Sequence, residues 1–306
     1  MVRDVDAVVG PDGWTTWERL VGQLSPTTVR AWVATGRLVH LDAGVYATPA
    51  AGADWRMRVC AIARRRQGVV SHSTALALWG LVPPPDGPVH LSVAPRRSGR
   101  GSTGVVLHRG RDVDWHVRRV SGMPVTSVER SLVDAWGSPG PLGRDAVRGA
   151  VITAVRERRC STGDLAAELA RRPRLPGRAG LSELVRLLAE GCRSELEIWG
   201  CLHVLRGPGM PAFVQQRPVV VAGERFLLDA ACDEVLLAVE MDGAAWHGSR
   251  AQRERDIRRD ALLATVGWQT LRFGHTRLMT AAELCRRDIR AAYEVRRRLF
   301  GPDGVR

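Results

Sequence analysis

The sequence predicts a multidomain α+β protein, and three observations support that prediction. Its 306 residues exceed the usual size of one domain, and a hydrophobic content of 45% supplies enough apolar side chains for packed cores. Segments with helical periodicity are interspersed with segments in which apolar and polar residues alternate, as they do in strands. Glycine and proline cluster at residues 137–143 and 171–180, which indicates connections between separate units.

The first fifty residues are predicted to form a winged helix-turn-helix. Thr15 is the expected cap of a short helix in the segment GWTTWERLVG. Ser25 is the expected cap of a second helix, with Pro26 in its first turn and Gly36 at its end. The segments RLVHL and GVYAT then form a hairpin. Helix, turn, helix and hairpin in this order are typical of a winged helix.

The second helix of such a unit enters the major groove of DNA, so its exposed side chains are the candidate DNA contacts. The candidates are Thr27, Thr28, Arg30 and Arg37. The alternative is a winged helix that binds only protein.

Residues 53–137 are predicted to be a small α+β domain. VVSHSTALALWGL is expected to be a strand that runs into a helix, PVHLSVA and GVVLHRG are expected strands, and MPVTSVERSLVDAWG is a strand followed by a capped helix. Ser71 and His72 could be a nucleophile and its base, but capping of the helix by Ser71 or Ser73 is the preferred interpretation. Residues 138–190 are then expected to be a helical connector.

The net charge of +13 comes from arginine alone, because the chain has no lysine. A positive surface favours polyanions, so DNA is the leading partner, although a GC-rich coding bias would also explain the arginine excess. No apolar stretch approaches the roughly 20 residues that span a bilayer, and the first residues do not resemble a signal peptide. We therefore expect a soluble, cytoplasmic protein without a membrane partner. The six cysteines form no CxxC pair and are expected to be free thiols.

Residues 191–306 are predicted to form a mixed sheet flanked by helices, in the order αβββαβ with a further C-terminal helix. Asp229 ends one strand, and Glu240 and Asp242 end the next. Residues at i and i+2 of a strand share a face, so Glu240 and Asp242 point the same way, and Asp229 joins them if the strands pair in the matching register.

Three converging carboxylates would repel one another unless a cation lies between them, and oxygen ligands suit Mg²⁺ or Mn²⁺. Such an ion could activate water for attack on a phosphodiester, and His247 could orient or deprotonate that water. The competing interpretation is that Asp242 and Gly243 are ordinary turn residues in solvent. Arg253 and Arg259 on the following helix are candidate phosphate contacts, with a solvated helix face as the alternative.

The N-terminal half resembles the AbiEi-type antitoxins of abortive-infection systems, which join a winged helix to a small α+β domain. The likeness covers about residues 10–137 and rests on LSPTTVRAWVATGRLVHLDAGVYATP, SHSTALALWGL and PVTSVERSLVDAW. It implies operator binding and transcriptional repression, with a toxin or other phage-defence protein as a partner.

The C-terminal region resembles the very-short-patch-repair (Vsr) endonuclease-like domains of the PD-(D/E)XK nuclease superfamily. The likeness covers about residues 191–275 through RSELE, FLLDAACDEVLLAVEMDGAAWHG and RRDALLATVGWQTLRF. It implies that Asp229 is the central metal ligand, Glu240 or Asp242 the second, Glu195 a supporting acid and His247 the base. Many members keep a lysine two residues after the glutamate, whereas this chain has Asp242 there.

Two functions follow. The first is a DNA-binding protein whose endonuclease-like domain hydrolyses DNA phosphodiesters with a divalent metal ion. The second is a non-catalytic, antitoxin-like transcriptional repressor that carries a decayed nuclease domain. The predicted domains are 1–52 (winged helix), 53–137 (α+β), 138–190 (connector) and 191–306 (nuclease).

Overall fold

The computed structural model describes residues 4–95, 102, 104–110, 117–242 and 250–300, with the side chains of 250–253 left out. These residues form fourteen α-helices and three β-sheets, so the chain is a mixed α+β protein. They divide into two compact units, Met1–Ser182 and Glu183–Arg306. No helix in the described part of the chain is both long and apolar enough to span a bilayer.

The first unit begins with a three-stranded antiparallel sheet and three helices. Its elements are α1 (Val5–Val9), β1 (Trp14–Thr16), α2 (Trp17–Val21), α3 (Pro26–Ala34), β2 (Val39–Asp42) and β3 (Val45–Ala47), with strand order β1-β3-β2. Ser25 caps α3 as predicted, and its hydroxyl accepts a hydrogen bond from Thr28 N at 3.2 Å. The cap of α2 is Thr16 rather than Thr15, because Thr16 is the residue whose hydroxyl accepts from Arg19 N. The buried side chains of Leu20, Val29 and Trp32 pack in its core.

A five-stranded mixed sheet follows in the same unit. The elements are α4 (Pro49–Ala53), α5 (Trp55–Arg66), β4 (Val69–Val70), α6 (His72–Leu78), β5 (Val89–Val93), β6 (Val105–Arg109), β7 (Val117–Val120), β8 (Met123–Thr126) and α7 (Val128–Gly137). The strand order is β6-β5-β4-β8-β7, with β5 parallel to β6 and β4 parallel to β8. The strand β7 was not predicted, since its sequence VRRV carries two exposed arginines.

Three further helices complete the region that was predicted to be a connector: α8 (Arg144–Arg156), α9 (Thr162–Ala170) and α10 (Arg178–Ala189), after a short 3-10 turn at Gly140–Leu142. Both α8 and α9 pack against α7. The contact includes a buried ion-pair network in which Arg130 of α7 binds Asp134 of its own helix and Glu168 of α9. The helices α8 and α9 therefore belong to the core of the first unit, whereas α10 crosses the boundary between the two units at Ser182.

The second unit is a four-stranded mixed sheet with helices around it. Its elements are α11 (Glu195–Gly200), continued as a π-helix over Cys201–Leu205, then β9 (Val214–Val221), β10 (Glu224–Cys232), a 3-10 turn (Asp233–Val235), β11 (Leu237–Asp242), α12 (Arg250–Thr265), β12 (Gln269–Gly274), α13 (His275–Thr280) and α14 (Ala282–Phe300). The strand order is β12-β11-β10-β9, and only β11 and β12 are parallel.

The helix α11 lies close to β11 because its last residue is a glycine. A Cβ atom on Gly200 would lie 2.2 Å from Sδ of Met241, well inside van der Waals contact. The odd-numbered residues of β11, which include Val239 and Met241, pack in a core with α14. Ala238 instead packs with Leu263 of α12. The strand β11 is therefore buried on both faces, and a charged side chain on it must find a partner.

Candidate active site

Asp229 lies where strands β10 and β11 separate. The pairing of β10 with β11 ends at Ala230 and Val239, and the next residues along the two strands are Asp229 and Glu240. Past the end of this pairing, the side chain of Asp229 bonds to the backbone of β11: its Oδ2 accepts a hydrogen bond from the N–H of Met241 at 3.0 Å. The side chain of Asp229 is thus held next to the strand that carries Glu240 and Asp242.

A glutamine from β9 connects Asp229 to a second acid. Nε2 of Gln216 donates to Oδ1 of Asp229 at 3.4 Å and to Oε2 of Glu197 at 3.1 Å. The backbone of Gln216 has a φ of 51°, in the left-handed region that few residues other than glycine adopt. Gln216 lies opposite Asp229, because the neighbouring pairs of β9 and β10 are Arg217 with Leu228 and Gln215 with Ala230. The unusual backbone conformation is therefore at the site.

The acid of α11 that bonds to Gln216 is Glu197, whereas Glu195 was predicted as the supporting acid. Glu195 begins the helix and is exposed, whereas Glu197 is buried. Ser194 caps the helix by accepting from Glu197 N, and Glu197 in return accepts from the Ser194 hydroxyl and from the backbone N–H of Arg193. A serine followed three residues later by a glutamate is the capping-box pattern, so the sequence contained the signal for this residue.

Glu240 is buried on β11, with 3% of the residue exposed, and is hydrogen-bonded to an arginine of α12. Nη2 of Arg259 donates to Oε1 of Glu240 at 2.7 Å and to the carbonyl oxygen of Leu227, also at 2.7 Å. Nε of the same guanidinium is buried without a hydrogen-bond partner among the described residues. Arg259 was predicted to be a phosphate contact, and in this structure it is also the counter-ion of a site acid.

Asp242 belongs to a separate ion-pair group. Nη1 of Arg272 on β12 contacts Oδ1 of Asp242 at 3.3 Å, and the same guanidinium forms two hydrogen bonds of 3.0 Å with Asp260 of α12. The oxygens of Asp229, Glu240 and Asp242 do not all approach within 4.8 Å of one another. The three carboxylates that were predicted to share one ion thus do not converge to that distance here, and Arg272 joins Asp242 to Asp260.

The remaining acids crowd together electrostatically. Burial and, after it, the charge of Asp229 raise the pKa of Glu240 to about 8 against the opposing effects of Arg259 and Arg272. Burial also raises the pKa of Asp229, and that of Glu197, where the charge of Asp229 is the second cause. Buried Glu197 and Glu240 and half-buried Asp229 are thus neighbouring acids of which, among the described residues, only Glu240 is bonded directly to an arginine side chain, that of Arg259, and this is an environment that favours an added cation.

Two predicted residues cannot be placed. His247 lies outside the described residues, and Arg253 lies in α12 but its side chain is outside the described part. The predicted DNA contacts of the first unit are all placed. Thr27 and Arg30 are exposed, Thr28 bonds to the Ser25 hydroxyl at 2.8 Å, and Arg37 stacks over the Trp32 ring at 4.7 Å.

The raised pKa of Glu240 predicts a pH-dependent gain of stability in Glu240→Gln. An unfolded glutamate releases its proton near pH 4.5, whereas the folded protein retains it until about pH 8, so wild-type stability falls as the pH rises between these values. Glutamine does not titrate. Without added metal, we expect the variant to be about 1–2 kcal/mol more stable than wild type at pH 8, where the folded wild type must either keep a proton on Glu240 or ionise it at a cost that glutamine does not have, and similar to it at pH 5. Urea unfolding at both pH values measures this.

The matched control is Glu224→Gln, which alters a partly exposed glutamate on β10 that pairs with Arg258. Its effect should be within about 0.5 kcal/mol at both pH values. A Glu240→Gln variant that is less stable than wild type at pH 8 would contradict the raised pKa.

The chain is similar to proteins of Mycobacterium tuberculosis. Two proteins of Mycobacterium tuberculosis, the uncharacterized protein MT2308 of strain CDC 1551 / Oshkosh and the uncharacterized protein Rv2248 of strain ATCC 25618 / H37Rv, are each 26% identical over 237 residues, which is 77% of this chain and 85% of theirs. The crystal structure of the RV2827C protein from Mycobacterium tuberculosis covers 57% of this chain and 70% of its own, with 16% identity and a TM-score of 0.41.

The family model REase_MTES_1575, of a restriction-endonuclease-like family, matches residues 218–292. The matched segment contains Asp229, Glu240, Asp242, Arg259 and Arg272. The match supports a restriction-endonuclease-like domain in the C-terminal part of the chain and suggests a nuclease-like function.

Proposed function

We propose that the second unit is a divalent-metal-dependent endonuclease domain that hydrolyses DNA phosphodiesters. The observation that carries the proposal is the pair of acids Asp229 and Glu240, which take neighbouring positions where β10 and β11 separate, with burial and the charge of Asp229 both raising the pKa of Glu240. Such a pair is unfavourable in a protein that only needs to be stable, and it is useful in one that binds a cation. The match to a restriction-endonuclease-like family supports the same function.

The residues present fit a hard divalent cation such as Mg²⁺ or Mn²⁺. Asp229 and Glu240 supply carboxylate oxygens, which these ions prefer, and both carboxylates are destabilised in their charged form by burial. Asp229 and Glu240 would hold the ion, and Asp242 would stay with Arg272. When bound, the ion supplies Lewis acidity and lowers the pKa of a coordinated water.

The protein side chains have distinct tasks in this proposal. Gln216 and the Met241 N–H fix both oxygens of Asp229, so the carboxylate needs no reorientation when the substrate arrives. Glu197 fixes Gln216 in turn. The side chain of Arg259 is partly exposed, so its guanidinium is suited to donate to a phosphate oxygen while Nη2 remains bonded to Glu240.

His247 is proposed as the base that accepts the proton of the attacking water. It lies five residues after Asp242, the last residue of β11, and an imidazole is the side chain whose unperturbed pKa suits proton transfer near neutral pH. The chain has no lysine that could take this task.

The first unit is proposed to contact DNA through α3. Arg30 is exposed on this helix and lines a groove of about 370 Å³ with Trp17, His40 and Tyr46. Thr27 is exposed beside it, and the net charge of +13 favours a polyanion. A repressor of the AbiEi type with a toxin or phage-defence partner, and with a nuclease domain that has lost activity, is the competing proposal. The division into domains at residues 52, 137 and 190 remains a prediction.

The test is nicking of supercoiled plasmid by the purified chain with Mg²⁺, with Mn²⁺ and with a chelator. We expect open-circular DNA to form only with metal, and we expect His247→Ala to slow its formation by about 100-fold, as for loss of a general base. Binding to a fragment of the protein's own promoter is measured in parallel. Tight promoter binding without cleavage under any metal condition would reject the nuclease and favour the repressor.

A further inference from the structure

A second cluster of chemically active side chains lies in the first unit. It consists of His72, His90 and His108, which we call the histidine cluster. His72 is the first residue of α6, His90 lies on β5, and His108 lies on the neighbouring parallel strand β6. One nitrogen from each ring lies within 4.8 Å of the other two, and no other such group of metal-binding side chains occurs in the described residues.

The rings are held close by specific contacts. Nδ1 of His90 and Nε2 of His108 are 2.9 Å apart. The rings of His72 and His108 stack with centroids 3.4 Å apart and an angle of 16° between their planes. Two nitrogens that bind one tetrahedral Zn²⁺ at about 2.0–2.1 Å lie roughly 3.3 Å from each other, so the observed separation of the His90 and His108 nitrogens is close to that of a chelating pair.

His72 is presented to this cluster by an unusual local backbone. Its φ is 55°, a conformation that costs free energy in a residue with a Cβ atom and that recurs at functional sites. Ser71 occupies the N-cap position of α6 but makes no capping hydrogen bond, so the preferred interpretation of Ser71 as a helix cap is wrong for its side chain. Its hydroxyl instead lies 2.9 Å from Nδ1 of His72.

This contact resembles the usual arrangement around a metal-binding histidine. When Ser71 Oγ accepts a hydrogen bond from Nδ1, the lone pair of the neutral ring is on Nε2, which is then free to bind a metal ion. Burial lowers the pKa of all three histidines, and it lowers that of His108 to about 4. The rings are therefore neutral at pH 7, which is the form that binds metals.

An ion can reach the cluster from solvent. His90 lines a groove of about 450 Å³ whose other walls include Ser73, Pro84, Asp86 and Leu142. His108 is only half-buried on β6, which is an edge strand of the five-stranded sheet. A site with three protein nitrogens and a route to solvent leaves a fourth position for water, as in zinc sites that are not purely structural.

We propose that His72, His90 and His108 bind one divalent transition-metal ion of the Zn²⁺ type in tetrahedral geometry, with water as the fourth ligand. Imidazole ligands select Zn²⁺ and its neighbours over Mg²⁺ and Mn²⁺, which prefer oxygen. The proposal is independent of the nuclease proposal, because it concerns different ligands in a different unit.

The test uses the full chain, stripped of metal by a chelator and kept in excess Mg²⁺ so that oxygen-rich sites are occupied. We expect titration with Co²⁺ to give the intense visible bands of a tetrahedral complex at one equivalent, and Zn²⁺ to remove them. We expect X-ray absorption of the Zn²⁺ form to show nitrogen ligands at about 2.0–2.1 Å. Zn²⁺ should also raise the unfolding temperature of the wild-type chain.

The variant His108→Gln should weaken Co²⁺ binding by more than the roughly 10- to 100-fold that loss of a hydrogen-bonding residue around a metal costs. The variants His203→Gln and Asp229→Asn alter residues outside the histidine cluster, and both should bind Co²⁺ as the wild-type chain does. No tetrahedral Co²⁺ spectrum in the wild-type chain would overturn the proposal whatever the variants do. A spectrum that persists in both His108→Gln and His90→Gln would also overturn it.

Discussion

Replacing Asp229 with asparagine is expected to reduce metal-dependent cleavage of plasmid DNA by roughly a thousandfold. A bound cation contributes several kcal/mol of charge stabilisation to phosphodiester hydrolysis, and each 1.36 kcal/mol corresponds to about tenfold in rate. Asparagine keeps the size of the side chain and can still accept from the Met241 N–H, so the fold should be retained. Removal of a buried charge beside Glu240 should leave the unfolding temperature equal to or above that of wild type.

Asp233→Asn is the matched control, because it makes the same chemical change at an exposed aspartate that pairs with Arg217 just after β10. It should cleave at the wild-type rate. Nicking rates are measured for both variants at saturating Mn²⁺ and compared with their urea unfolding curves. Cleavage by Asp229→Asn within tenfold of wild type would exclude Asp229 as a ligand of the catalytic ion.

Replacing Arg130 with methionine is expected to destabilise the first unit by about 3–5 kcal/mol, the usual cost of removing one partner from a buried ion pair. Arg130 of α7 bonds to Asp134 at 2.7 Å and to Glu168 of α9 at 3.2 Å, and all three residues are buried. Methionine fills a similar volume but leaves two buried carboxylates close together. Arg172 reaches both of them, at 3.3 Å and 3.8 Å, and offsets part of the loss.

The loss should depend on pH with a defined sign. Burial raises the pKa of Asp134 to about 6, and Arg130 acts against that rise. Without Arg130 the folded state holds this proton more tightly, so the destabilisation should be smaller at pH 5 than at pH 8. Arg171→Met removes an exposed arginine that contacts the same Glu168 and should cost no more than about 1 kcal/mol. Urea unfolding of both variants at the two pH values checks the prediction. Equal stability losses would show that Arg130 is not needed to neutralise the network.

Local sequence signals predicted most elements because they depend on neighbouring residues. The cap of α3 by Ser25 is one example, since a serine before Pro26 satisfies N–H groups within the same turn. The order of elements in the second unit was also predicted, because apolar alternation and helical periodicity are properties of short segments. The strand β7 was missed, since two arginines interrupt its pattern and its stability comes from pairing with β8.

The candidate site was only partly predictable, because some of its contacts depend on residues that are distant in the chain. The meeting of Asp229 with the end of β11 follows from strand lengths and antiparallel pairing, and the sequence indicates both. The choice of Glu197 over Glu195 depends on which side of α11 faces β9, although the capping-box spacing was a usable signal. The separation of Asp242 from the other acids depends on Arg272, which lies 30 residues further along the chain.

The sequence by itself determined which reactive side chains this protein has and roughly where they lie. The chain is positive and has no lysine, and acids stand at the ends of two adjacent strands in a nuclease-like region. Only the tertiary structure decided which charges neutralise which, because ion pairs such as Arg259 with Glu240 join residues that are distant in the chain. It also brought together His72, His90 and His108, which have no motif spacing and become neighbours only because β5 pairs with both β4 and β6.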